Sequence, residues 1–229
     1  MIGVIGMKVL VIAAHPDDEV YGMGGTIAKL SKQGHELYVL ILTEGCSTQY
    51  KDQPHLIEEK KNQAYEANSI LGTKEVIFGD LPDMKLDTVE HVEINAVIEK
   101  AIRDLEPDVV YTHFYGDVNK DHRCVFESTM VAVRPIHSQC VREVYCYQVP
   151  SSTEWAANVA QSTFIPNVFE EVSEYYDKKQ DSILAYSSEI REYPHPRSLK
   201  VVKMYDLVLA KRNGLELAEG FMLIRKVAK

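Results

Sequence analysis

The sequence predicts an α/β fold: a Rossmann-like, doubly wound, mostly parallel sheet with helices on both faces. Three observations carry that prediction. Short β-branched runs alternate with longer segments of helical period, the arrangement of parallel strands joined by right-handed crossovers. Glycine or proline stands at several of the joints, as at Gly34, Gly72 and Pro107. There is no internal repeat, low-complexity tract or linker, so the 229 residues are expected to form one domain, 1–229.

Taken in order, Lys8–Ala14 reads as a buried strand. Met23–Gln33 follows as a helix closed by Gly34. Leu37–Leu42 is a second strand, Leu56–Leu71 a helix ended by Gly72, and Val76–Phe78 a short strand. Val89–Leu105 is amphipathic, with Val89, Val92, Ile94, Val97, Ile98, Ile102 and Leu105 near helical spacing. Val109–His113 is a strand, His122–Val133 a helix, and Val141–Gln148 another strand. Residues 149–170 hold Pro150 and Pro166 with few periodic cues and read mostly as loop. Tyr175–Glu189 and Ser198–Arg212 are helical, and Leu217–Ile224 is a final strand. Residues 1–6 precede the strand that Met7-Lys8 opens and read as an upstream-start extension. They have no basic segment of the signal-peptide kind.

Composition excludes several classes of function. No uninterrupted apolar stretch exceeds the six residues of Val9–Ala14, against about 20 for a membrane helix. The 34 acidic and 25 basic residues give a net charge of −9, which disfavours nucleic acid as a partner. Apolar residues make up 45%, with 13 tyrosines, which excludes disorder. Cys46, Cys124, Cys140 and Cys146 have no CxxC spacing and read as reduced thiols of a cytoplasmic protein.

Open α/β sheets bind ligands beyond the carboxyl ends of their strands, which directs attention to 14–22, 43–54, 79–87, 113–122 and 149–170. The first of these holds His15-Pro16-Asp17-Asp18-Glu19. Three acids and an imidazole so close together repel and desolvate one another unless a cation or donors compensate; alternatively, the acids charge the next helix's N-terminus. The fourth strand is followed by Gly116-Asp117-Val118-Asn119-Lys120-Asp121-His122-Arg123. One His and one Asp of the first loop with His122 would make three N/O ligands around Zn2+, leaving a fourth position for water. A neighbouring carboxylate would then serve as general base.

AHPDDE with a downstream DHR resembles the signature of the LmbE/PIG-L superfamily of zinc-dependent N-deacetylases. The likeness extends through Gly24-Gly25-Thr26, Thr43-Glu44-Gly45, Ser151-Ser152-Thr153-Glu154-Trp155 and Tyr193-Pro194-His195-Pro196-Arg197-Ser198. The later motifs look like a bacterial branch concerned with sugars and polysaccharides. The resemblance makes His15, Asp18 and His122 the zinc ligands and Asp17 the base. Adjacent residues of an extended segment point opposite ways, which agrees with separate roles for Asp17 and Asp18.

One departure stands out. The family's His-x-Asp-His has Asn119 at its first position, which donates a hydrogen bond but delivers no proton near neutral pH. The proton for the departing amine then comes back from Asp17 or, the favoured choice, from His195 between its two prolines. Asp121 is expected to orient His122 or a neighbour, with plain solvation as the rival. Glu44, Glu154 and Trp155 are candidate sugar contacts, and Arg197 is a candidate for a substrate phosphate or carboxylate. Loop packing and a structural salt bridge explain the last three equally well. The Gly22-Met23-Gly24-Gly25 run lacks the third glycine of a dinucleotide fingerprint and reads as close packing.

The expected function is therefore cytoplasmic hydrolysis of the N-acetyl amide of a small-molecule amino sugar or its conjugate. Zinc is the expected metal, Fe2+ a substitute, and family habit suggests a homo-oligomer. The alternatives are an amidase on a thiol conjugate or N-formyl sugar, and a non-catalytic sugar- or nucleotide-binding relative.

Overall fold

The computed structural model describes residues 6–46, 53, 55–136 and 139–228. Its elements are β1 (Lys8–Ala13), α1 (Asp18–Lys32), β2 (Glu36–Thr43), α2 (His55–Leu71), β3 (Glu75–Leu81), α3 (His91–Leu105), β4 (Val109–His113), α4 (Lys120–Ala132), β5 (Glu143–Tyr147), β6 (Val168–Glu171), α5 (Tyr176–Ala185), α6 (Leu199–Lys211) and β7 (Ala218–Lys226). The strands form a seven-stranded sheet in the order β3-β2-β1-β4-β5-β7-β6.

The central strands show why the fold forms. Val9, Val11 and Ala13 of β1 enter one core with α1, α2 and α5, while Leu10, Ile12 and Ala14 enter a second with α3 and α4. In β2, Leu37, Val39 and Ile41 face the first core and Tyr38, Leu40 and Leu42 the second. Side chains alternate between faces, so a strand covered on both must be apolar at every position.

Two readings of the sequence need correction, and the final strand gains a direction. α1 starts at Asp18, five residues before Met23; its first turn carries Asp18 and Glu19, which suit the positive end of a helix. Met23 is instead the site of a kink, with φ −154° and ψ 25°. β7 runs antiparallel to both β5 and β6, so the sheet is mixed at that edge. β6 lies at the end of the segment read as loop and extends past it; four half-buried residues are too few to show a period. The expectation for residues 1–6 falls mainly on 1–5, which lie outside the described residues, as do 47–52 and 54 of the loop 43–54.

The kink is held from outside. Glu219 of β7 accepts the backbone N–H groups of Gly25 (3.0 Å) and Thr26 (2.7 Å), two donors just beyond the break. The same carboxylate meets Lys179 of α5 at 2.8 Å, and Lys179 meets Asp206 of α6 at 2.7 Å. Gly22 and Gly25 complete this close approach: a Cβ would come within 2.4 Å of the Tyr147 ring and 2.8 Å of Val172. Replacing Lys179 by Met would strand two buried carboxylates. The expected loss is about 3–5 kcal/mol, read as a lower midpoint in urea unfolding.

Candidate metal centre and active-site cleft

β1 and β4 are neighbours at the point where strand order reverses. The chain leaves β1 for one face of the sheet and β4 for the other, which opens a crevice beyond their carboxyl ends. His15, Asp17 and Asp18 come from the first exit and Asp117, Asp121 and His122 from the second. Asn119 caps α4 by accepting the Asp121 N–H at 2.9 Å. That cap sets the first turn of α4, and Asp121 and His122 with it.

His15, Asp18 and His122 converge. His15 Nδ1 lies 3.3 Å from Asp18 Oδ2, His122 Nε2 lies 3.4 Å from the same oxygen, and the two nitrogens are 3.3 Å apart. This is a nearly equilateral triangle. Three corners of a tetrahedron with bonds of about 2.0–2.1 Å stand about 3.3–3.4 Å apart, so the spacing fits a small divalent ion with its fourth corner open. Asp18 Oδ1 is buried without a partner among the described residues, which leaves further donor capacity.

The far side of each imidazole is held by a carboxylate. His15 Nε2 faces Asp121 Oδ2 at 3.2 Å, and His122 Nδ1 faces Asp117 Oδ2 at 3.2 Å. Such partners fix the tautomer that turns a nitrogen lone pair inward. Asp121 thus orients His15, across the cleft, and its second oxygen accepts the Leu86 N–H at 3.0 Å. His122 depends on Asp117, which the sequence reading quoted in its motif without a role. Ser152 and Thr153 hydroxyls and the Asn119 N–H all donate to Asp117. Asp117→Asn and Asp121→Asn are each expected to weaken metal binding about 10–100-fold, measured by competition with a chelator.

Electrostatics favour positive charge at the centre. Burial works against ionised Asp18, yet His122 beside it holds its pKa well below the usual 3.8. Burial opposes protonated His15 too, but the hydrogen bonds it donates to Asp121 and Asp18 outweigh it and hold its pKa well above 6.5. Asp117 falls to about 2 despite burial, through His122, Ser152 and Thr153. A divalent ion or protons on the imidazoles satisfies these carboxylates. His113, also missed by the sequence reading, stacks on His122 with centroids 3.9 Å apart and accepts the Ala14 N–H at 2.8 Å. Burial and His122 push its pKa down to about 4, so it braces the centre as a neutral ring.

Asp17 differs from Asp18 for a reason other than strand alternation. Its φ is 113°, in the left-handed region that L-residues rarely adopt, and the chain turns there into α1. Oδ2 accepts from Arg197 Nη1 at 2.8 Å, while Oδ1 is buried and without a partner among the described residues. Burial pushes its pKa up to about 7 against the pull of Arg197.

The cleft over this centre is lined by His15, Asp17, Asp83 and Asn119 together with Lys60, Glu189, Arg191, His195 and Arg197. Arg197 is held by the protein's own carboxylates, Asp17 at 2.8 Å and Glu189 at 3.4 Å. His195 accepts the Arg197 backbone N–H at Nδ1, at 3.1 Å. Trp155 is exposed and meets the edge of His195, with centroids 6.1 Å apart. Glu154 is not among the cleft-lining residues; its carboxylate accepts the N–H groups of Ser151 (2.7 Å) and Ser152 (3.2 Å). Glu44 follows β2, and its buried Oε2 has no partner among the described residues. Lys60, Asp83 and Glu189 carried no sequence signal, since each reaches the cleft only through the fold.

A Rossmann-like α/β sheet with a candidate metal site at its switch point defines the class. The pattern of the GlcNAc-PI de-N-acetylase (PIG-L) family matches residues 10–133, and the chain belongs to that family. An uncharacterized deacetylase of Escherichia coli K12, YaiS, is 31% identical over 176 residues, 73% of this chain and 83% of that protein. The diacetylchitobiose deacetylase of Thermococcus kodakarensis is 26% identical over 95% of this chain and 83% of its own. The solved structure of GalB, a 4-carboxy-2-hydroxymuconate hydratase of Pseudomonas putida, aligns with TM-score 0.76 at 23% identity, covering 97% and 98% of the two chains. That likeness shows the fold alone, so the reaction must be argued from the site.

Proposed function

We propose that this chain is a zinc-dependent N-deacetylase that hydrolyses the acetamide of an amino sugar or its conjugate to free amine and acetate. The observation that carries the proposal is the triangle of His15 Nδ1, Asp18 Oδ2 and His122 Nε2 with edges of 3.3–3.4 Å. Family membership and the named activities of the relatives support the acyl amide as substrate. Zinc held there supplies Lewis acidity for the acyl oxygen and acidifies a water.

The chain's own residues do the rest. Arg197 fixes Asp17 through Oδ2, so that Oδ1 takes the proton of the attacking water and returns it to the departing amine. His195, with Nδ1 engaged by Arg197 N–H, carries its hydrogen on Nε2 and offers it to the acyl oxygen. The same Nε2 hydrogen is the one that would serve in the expected protonation of the amine. Asn119 stays at the rim as the cap of α4. Trp155 beside His195 gives the sugar ring an apolar face. Four unpaired cysteines and the lack, among the described residues, of a helix able to cross a membrane accord with a cytoplasmic setting.

The test joins elemental analysis to amine release from a panel of N-acetyl, N-formyl and N-acyl-thiol-conjugate amino sugars. About one zinc per chain with equal release of amine and acetate is the expected result. Zinc-loaded protein that releases no amine from any member would overturn the reading.

A further inference from the structure

Three basic side chains meet, in a chain of net charge −9, in the cleft over the metal centre. Lys60, Arg191 and Arg197 all line it, and all three converge on one carboxylate, Glu189. Lys60 takes Oε1. The two guanidinium groups share Oε2 from 3.4 Å (Arg197) and 3.6 Å (Arg191), beyond the roughly 2.7–3.2 Å of a good N–H···O bond. Over the whole cleft the three cations meet an equal number of carboxylates, Asp17, Asp83 and Glu189.

Donors are nonetheless left over. Arg197 Nε is buried without a partner among the described residues. Arg191 is anchored through Nη1 to the carbonyls of Ser188 (2.8 Å) and Ile190 (3.1 Å), yet its side chain stays 44% exposed over the cleft. An arginine braced in this way presents a fixed fork, and forks of this kind match the paired oxygens of a carboxylate or phosphate. A neutral sugar hydroxyl matches it poorly. Arg197, the expected partner of a substrate anion, is already paired with Asp17 and Glu189, and Arg191 beside it is the more exposed guanidinium.

We infer that the Lys60–Arg191–Arg197 wall is a subsite for an oxyanion, a carboxylate or a phosphate carried by the substrate, with Arg191 as its specificity-determining residue. As a statement about substrate this rests on the deacetylase reading; as a statement about binding it does not.

Two measurements test it separately. In the first, kcat/KM is compared for the methyl glycoside of N-acetylglucosamine, N-acetylglucosamine 1-phosphate and a carboxymethyl glycoside of the same sugar. Wild type is expected to favour one or both anionic substrates about 10–100-fold, the better one naming the oxyanion, and the preference should shrink as salt is raised. Arg191→Gln should bring the ratio toward one, mainly through the KM of the anionic substrate, and Arg191→Lys should restore part of it. In the second, calorimetry follows inorganic phosphate and acetate binding to zinc-loaded wild type and Arg191→Gln, which needs no turnover. Binding weakened about tenfold or more by the substitution supports the subsite even if the panel shows no deacetylation. Equal binding by both proteins, or an Arg191→Gln protein that loses anionic and neutral substrates alike, would overturn it.

Discussion

Asp17→Asn is expected to lower kcat by about 10²–10⁴-fold, the usual worth of a general base, while the protein keeps its metal and its fold. Asn is the substitution the backbone allows: at φ 113° most side chains are strained, and Asn is among the few that tolerate positive φ. Its amide oxygen can still accept Arg197 Nη1, so the cleft wall stays in place. What disappears is the group able to hold a proton at Oδ1. Steady-state rates beside zinc content check this directly, and a variant with near-wild-type kcat and full zinc would remove Asp17 from the mechanism.

The same substitution has a consequence for stability, measured on chelator-treated protein. Folding raises the Asp17 pKa from 3.8 to about 7, chiefly through burial. Between those values the folded chain holds a proton that the unfolded chain has released, so this group makes stability fall as pH rises from about 4 to 7. Asn carries no such slope. Asp17→Asn should therefore gain in melting temperature over wild type as pH rises through that window. A constant difference between the two proteins would contradict the raised pKa.

The parts of this protein that the sequence revealed are those fixed by local rules. β1 and β2 declared themselves because strands covered on both faces must be apolar throughout, and α3 because its buried stripe recurs at helical spacing. The triangle of candidate ligands was legible through the family resemblance that AHPDDE and DHR carry, while position at the strand ends left open which aspartate belongs to it. The kink at Met23 hid the true start of α1, since a helix whose ladder is repaired by a distant Glu219 leaves no local mark. The antiparallel course of β7 depends on how α5 and α6 carry the chain back, which no pattern within β7 records. Residues such as His113, Asp117, Glu189 and Lys60 acquire their roles from partners up to 129 positions away. Arg197 shows the limit from the other side: its charge was visible, but Asp17, its partner, could be found only in space.

Asp18→Asn is the substitution expected to cost the metal itself. Asp18 Oδ2 is the pivot of the centre, 3.3 Å from His15 Nδ1, 3.4 Å from His122 Nε2 and 3.3 Å from His113 Nε2, and it accepts the His15 N–H at 2.8 Å. Asn is nearly isosteric and can keep the last bond, so the loop need not collapse. It is nonetheless neutral, and it sets either a weak carbonyl or an N–H donor against a divalent ion. The loss of affinity should exceed the 10–100-fold expected for Asp117→Asn or Asp121→Asn, whose carboxylates act only through the imidazoles. Turnover should fall to background at any practical zinc concentration. Melting with and without chelator gives a readout independent of turnover, because an ion that binds only the folded chain stabilises it by RT ln(1 + [L]/Kd), about 2.7 kcal/mol at 100 times Kd. Wild type and Asp17→Asn should both lose that increment to chelator, and Asp18→Asn should have none to lose. Two adjacent aspartates would then be separated by one experiment, the first needed for the rate alone and the second for the ion on which the rate depends. If Asp17→Asn also lost the chelator-dependent shift, the division of labour between them would be wrong.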